Sequence, residues 1–236
     1  MDIACVKAAD DLASLIFSNR HSLRSLRFGF RSWNWRRSLD IDPGSLPNED
    51  RDAYVDSWAN DQFLPILRDI VEAGNPLNLQ TLEIHRVQSI DVARLLQAFC
   101  FQTIQRFALI DTSFDSWNDD EDETEDLWRM LKDQEISLQY LVTDAPTEEL
   151  VDFVGSFQGL EGLILCDSDA RASPEPNEWM GPLYGHLSTL RHLFIPRSCH
   201  GSHFFGATDI QAIVEGCPEL EEFGWGMREE DLVSPS

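Results

Sequence analysis

Basic residues are scarce in this chain: 18 Lys and Arg stand against 42 Asp and Glu over 236 residues, a formal charge of -24. Residues 1–40 hold seven of the cations and four of the acids, leaving eleven cations against thirty-eight acids in the other 196 residues. Such a surface repels nucleic acid and anionic lipid and draws in basic partners at low salt, so neither a nucleic-acid nor a membrane partner is expected. Cysteine is sparse too. Cys5, Cys100, Cys166, Cys199 and Cys217 are odd in number and scattered, with no CxxC pair, the pattern of free buried thiols and not of a disulfide frame. No N-x-S/T sequon occurs.

Long apolar runs are missing as well. Charges interrupt each one well short of the roughly 18 residues of a membrane helix. The opening MDIACVKAADDLASLIF carries acids and lacks the basic region and small-residue cleavage site of a secretory signal. The expectation is a soluble intracellular protein, cytoplasmic or nuclear. At 42% hydrophobic the chain can bury the core of one continuous domain over residues 1–236.

The signatures of chemistry are absent in their turn. There is no GxSxG elbow, no phosphate-cradling glycine loop and no cysteine in a recognisable nucleophile frame, so an enzyme is not expected. The run NDDEDETED, residues 118–126, clusters the carboxylates that calcium favours. With Asp120 and Asp122 as early ligands, however, it has no glycine at the sharp turn and no glutamate at the twelfth position. It reads as a solvated loop feeding the next helix, or as a docking site for a basic partner. Cys199, His200 and His203 lie close enough to share an ion, yet zinc takes four ligands and no second pair follows. No metal or cofactor is expected. RSWNWRR, residues 31–37, combines arginines with Trp33 and Trp35, which suits single-stranded nucleic acid. In so acidic a chain the tryptophans are better placed covering one end of the fold, with the arginines paired to carboxylates.

What the chain does have is a recurring phrase, LxxLxL in outline. It begins at Leu23 (LRSLRF), Leu79 (LQTLEI), Ile104 (IQRFAL), Leu138 (LQYLVT), Leu160 (LEGLIL), Leu190 (LRHLFI) and Leu220 (LEEFGW). The steps are 56, 25, 34, 22, 30 and 30 residues, a loose period whose first step holds an insertion or a degenerate extra unit. Between phrases the spacing turns helical. In DQFLPILRDIV the residues Phe63, Ile66, Leu67 and Ile70 fall on one helix face, and IDVARLLQAF, TEDLWRMLKDQ, TEELVDFVGSF and TDIQAIVEG repeat the arrangement. Thr147 opens one helix, Thr208 with Gln211 suggests a capping box on another, and Gly74 with Pro76 closes a third. Each unit is helix then strand, which cannot bury its own apolar face and so must stack.

Seven such phrases over residues 12–227 resemble a leucine-rich repeat protein, and EGCPELEEF resembles the cysteine-containing repeats of the irregular fungal-type F-box leucine-rich repeat proteins. The resemblance implies an α/β solenoid of about seven irregular repeats, with a curved parallel sheet on the concave side and helices on the convex side. Long loops are expected at about 29–60, 111–123, 166–182 and 196–208. It further implies a non-catalytic module that binds a protein or peptide, as in the substrate-recognition part of an SCF-type ubiquitin ligase receptor. A Skp1-type adaptor would be a partner only with an upstream F-box, which this sequence does not display. The alternative is a free-standing acidic scaffold or inhibitor of a basic partner.

In such a strand the third, fifth and seventh phrase positions face outward. That places Arg27, then Thr81, Glu83 and His85, then Arg106, Ala108 and Ile110, then Tyr140, Val142 and Asp144 on the open face. Gly162, Ile164 and Cys166, His192 and Phe194, and Glu222 and Gly224 follow. Ile110, Tyr140, Val142, Ile164 and Phe194 form an apolar strip bordered by Glu83, His85, Arg106, Asp144, His192 and Glu222, the expected partner-binding surface.

Overall fold

Alternation within each phrase is the first constraint on the fold, because it sends the fourth and sixth residues to one side of a strand and the third and fifth to the other. The computed structural model describes residues 3–28, 63–87, 90–110, 112, 123–166, 174, 176–195 and 207–225. Helix α1 (Ile3–Asn19) leads to β1 (Ser25–Phe28), and helical residues 63–72 (α2) lead to β2 (Thr81–His85). Helix α3 (Val92–Ala98) and a 3-10 turn (Phe101–Thr103) precede β3 (Arg106–Ile110), and α4 (Glu123–Asp133) precedes β4 (Tyr140–Thr143). Then come α5 (Glu148–Val154) with β5 (Gly162–Leu165), α6 (Pro176–Tyr184) with β6 (His192–Ile195), and α7 (Ala207–Gly216) with β7 (Glu222–Trp225). The chain forms two compact units, one of Met1–Ile104 and Asp111–Glu123, the other of Gln105–Ile110 and Thr124–Ser236. Strands follow chain order, β1-β2 in the first unit and β3-β4-β5-β6-β7 in the second, and pair in parallel. The α/β class with parallel strands therefore matches the phrases. Residues 29–60, including 31–37, most of the 111–123 and 196–208 segments and of the 118–126 acidic run, Cys199, His200 and His203 lie outside the described residues.

In the first unit Leu77, Leu79, Leu82 and Ile84 are buried together with Phe63, Ile66, Leu67 and Ile70 of α2, and Phe63 meets Phe28 at 4.8 Å between ring centroids. Gly74 adopts φ +63° just after α2, a left-handed conformation that costs glycine nothing and frees the chain to turn back toward Leu77. Asp91 caps α3 by accepting from the Arg94 N–H at 3.0 Å. Thr103, one residue before the Ile104 phrase, donates its hydroxyl to the carbonyls of Leu79 and Cys100, both at 2.9 Å.

The second unit repeats that device. Thr189, one residue before the Leu190 phrase, donates to the carbonyls of Leu160 (2.8 Å) and His186 (3.1 Å). The inward side chains Phe107, Leu109, Leu141, Leu163, Leu165 and Leu193 are all buried. From Phe107 a line of rings crosses the core: Trp128 at 6.1 Å, Phe153 at 5.9 Å from Trp128, Phe157 at 5.1 Å, and His186 at 5.2 Å. His186 is wholly buried, its Nε2–H donating to the Val154 carbonyl (2.9 Å) while Nδ1 accepts from the Leu160 N–H (3.2 Å). One ring thus satisfies two backbone groups that flank the turn between α5 and β5, which buried peptide groups require.

A second regularity runs through the backbone. The carbonyl of Arg24 accepts from the N–H groups of both Gln80 and Thr81, at 2.7 and 3.0 Å. The carbonyls of Gln105, Gln139, Glu161 and Arg191 each do the same for the second and third phrase residues of the next strand.

Three local expectations change. The 166–182 loop ends early, because α6 begins at Pro176. Helix α7 begins at Ala207, so Thr208 lies inside it, and Gln211 donates to Glu215 one turn on (2.6 Å) instead of completing a capping box. Of the three cysteines whose side chains are described, Cys217 is buried, whereas Cys100 and Cys166 are only half-buried. By contrast Thr147 does cap α5, accepting from the Leu150 N–H.

Leu163→Ala, at the centre of this core, is expected to cost roughly 2 to 5 kcal/mol, read from chemical denaturation. His186 generates a pH dependence of known sign. Burial pushes its pKa below the ordinary histidine value against the pull of the Val154 hydrogen bond, so on acidification the unfolded chain takes up a proton first. Stability should therefore fall as pH drops below about 6.5, and the fall in melting temperature between neutral and mildly acidic buffer should shrink in His186→Asn. An unchanged slope in that variant would remove His186 as its source.

Candidate binding face on the open side of the strands

The register of the second unit arranges its outward residues in two rows. Arg106, Tyr140, Gly162, His192 and Glu222 are paired across β3 to β7 in one row, and Ala108, Val142, Ile164, Phe194 and Gly224 in the other. The phrase register inferred from the sequence thus matches the strand pairing.

Glycine shapes both rows. At Gly162 an added Cβ would stand 2.5 Å from Cδ1 of Tyr140, and at Gly224 it would collide with the Phe194 ring. Each aromatic ring therefore lies across the glycine of the following strand, filling space that any other residue would occupy. Tyr140 is further held by its hydroxyl, which donates to Glu161 Oε2 at 3.2 Å, and by the Arg106 guanidinium 5.7 Å from its ring centre. His192 lies 5.9 Å from the same ring and places Nδ1 3.5 Å from Glu222 Oε2. The first row is one chain of contacts from Arg106 to Glu222.

The second row is apolar and graded in height. Ala108 is 2% exposed, Val142 8%, Ile164 half-buried and Phe194 46% exposed. Val142 was expected on an exposed strip, but strands in a sheet lie only about 4.8 Å apart, and Val142 stands beside the larger Ile164 of β5, with 8% exposure left. Ile110 and Asp144 are half-buried at the far ends of β3 and β4. In the first unit Glu83 and His85 occupy the outward side of β2, and Glu83 is buried to 8% beside Arg27, whose Nε is 3.2 Å from its carboxylate.

Glu161 and Arg191 were not expected on the open face, and Gly162 and Gly224, though placed there, were not counted in the binding surface; all four help to build it. Glycine at an outward strand position, in LEGLIL and LEEFGW, was the available signal. Arg191 pairs with Glu221 (3.2 Å) and Glu219 (3.8 Å) along the edge where the strands begin. Burial pushes the thiols of Cys166 and Cys217 up, with Asp144 adding to the effect at Cys166, which keeps both protonated and weakly nucleophilic. Among the described residues no three His, Cys, Asp or Glu gather to hold a metal ion. None of the described helices is long and apolar enough to cross a membrane.

Burial, reinforced by the Glu161 hydrogen bond, raises the Tyr140 phenol above its ordinary value. Subtracting the alkaline absorbance titration of Tyr140→Phe from that of the intact protein should reveal a phenolate step above about pH 10, which Glu161→Gln moves down. Because the native state holds that proton longer than the unfolded chain, Tyr140 should also lower stability as pH climbs past the same point.

Compared with protein-family models, curated proteins and solved structures, the chain matches none.

Proposed function

We propose that this protein is a non-catalytic interaction module of leucine-rich-repeat type, a solenoid that binds a protein or peptide segment on the open face of its strands. The observation that carries the reading is Phe194, a large apolar side chain 46% exposed at the crest of a row of apolar residues and bordered by charged ones. An apolar centre inside a polar rim is the usual organisation of a protein-binding surface. The repeated carbonyl that accepts two N–H groups, and the threonines that tie one phrase to the next, support the solenoid. The sequence resemblance extends the reading to substrate recognition within an SCF-type ubiquitin ligase. Co-precipitation of a Skp1-type adaptor with the protein from its own cells tests that extension.

Phe194→Ala is the discriminating variant. Both rings pack on the glycine of the following strand, but Tyr140 is also hydrogen-bonded to Glu161, so its truncation would remove a tie that Phe194 does not make. Phe194→Ala should alter stability by less than about 1 kcal/mol. It should nevertheless weaken a cross-linked, purified partner about tenfold or more, the effect of removing an aromatic anchor. Val214→Ala, at a residue 51% exposed on α7, serves as the control and should leave binding intact. Equal loss in both variants, or in neither, would sink the reading.

A second reading rests on the charge of -24: a free-standing acidic scaffold that covers a basic protein. It requires binding that collapses with added salt, whereas recognition through the apolar row survives about 0.5 M salt, where screening reduces electrostatic reach to a few Å.

A further inference from the structure

The two rows of the second unit differ in chemistry, and their separation is fixed by the strand repeat. Each outward residue of the apolar row sits two positions after an outward residue of the polar row on the same strand, as Phe194 follows His192 and Gly224 follows Glu222. That is roughly 6.5 Å along the strand. An extended peptide lying along the strand direction presents its own residues i and i+2 to the sheet at the same spacing.

Charge then separates the rows further. Where β5, β6 and β7 begin, the described residues include the carboxylates of Glu161, Glu219, Glu221 and Glu222 and one guanidinium, that of Arg191, which pairs with Glu219 and Glu221. Among the described residues of this edge, four carboxylates against one guanidinium leave an excess of three negative charges. Glu222 has the most open carboxylate of the set, with its side chain 80% exposed. Two residues further along the strands lie Ile164 and the exposed ring of Phe194. Carboxylates at one end and an apolar crest at the other complement a cation and a bulky apolar group held one strand repeat apart.

We infer that the occupant of this face is an extended segment of a partner protein carrying a leucine-sized or larger apolar residue and a lysine or arginine two positions apart. The apolar side chain lies against Phe194 and Ile164, and the cation sits over the row of Glu222. This rests on the reading of the face as a binding surface and adds to it the composition and spacing of what binds. It also gives the overall acidity of the chain a specific role, since the same carboxylates that attract a basic segment from a distance select its register on arrival.

The test uses four fluorescently labelled octapeptides and the full chain, read by anisotropy. In the first, leucine, serine, lysine and serine repeat, so that leucine and lysine share a face. The second replaces lysine by glutamate, and the third replaces leucine by serine. The fourth keeps the first composition but sets leucine and lysine side by side, on opposite faces. The first should bind at least about fivefold tighter than each of the others, and Phe194→Ala and Glu222→Gln should each weaken it by a similar factor while Asp133→Asn, on α4, leaves it unchanged. Equal binding of the glutamate peptide, still lost in Phe194→Ala, would overturn the charge requirement and leave the binding face standing. Equal binding of the serine peptide, indifferent to Phe194→Ala, would overturn both. Equal binding of the fourth peptide would refute the spacing. Failure of all four to bind would overturn the inference, while the face itself is judged by partner loss in Phe194→Ala.

Discussion

In five strand pairs one carbonyl where the earlier strand begins accepts two N–H groups from the next strand, and the register of those pairs depends on it. The acceptors are Arg24, Gln105, Gln139, Glu161 and Arg191, cationic, neutral and anionic in turn. The bond is made by backbone alone, so it tolerates that variety while holding each phrase against its neighbour without slippage. A slip of one residue would exchange the buried set of Leu141, Leu163 and Leu193 with the outward set of Tyr140, Gly162 and His192. Everything on the open face inherits its position from this backbone contact.

Side-chain hydroxyls and one imidazole reinforce the arrangement where the chain turns. Thr103 and Thr189 reach back to the preceding phrase, and His186 joins Val154 to Leu160 from inside the core. Polar groups so placed satisfy buried peptides that no ladder reaches. The helical side can then vary in length and cap while the strands keep their alignment. On the other side, the face offers aromatic area, a row of graded height and open carboxylates.

The α/β class with parallel strands was legible because period is a strong signal, the alternation in LQTLEI and LEGLIL standing against the helical spacing of Phe63, Ile66, Leu67 and Ile70. Outward and inward assignments followed from the same pattern. Exposure did not, since Val142 and Glu83 face outward yet are buried, a property set by neighbouring strands and not by one phrase. Nor did the supposed capping box: Thr208 and Gln211 have the right spacing, but α7 starts a residue earlier and the glutamine finds Glu215. His186 was silent because a histidine among GHLSTL looks like any surface turn until Val154 and Leu160 are brought to its two nitrogens. The division into two units was equally invisible, because β3 continues the phrase pattern across the boundary.

The rings of Tyr140 and Phe194 lie over glycines on the strands that follow them. As a result, the relief of the face at β5 and β7 is drawn by side chains that belong to β4 and β6. Each aromatic and its glycine form one inherited unit: a side chain gained at Gly162 or Gly224 is felt as a displaced ring, and a ring lost is felt as an unfilled furrow. Substitutions at such paired sites do not add independently. Drift on this surface is therefore constrained in couples, with a change at one member tolerated only as far as the other can accommodate it.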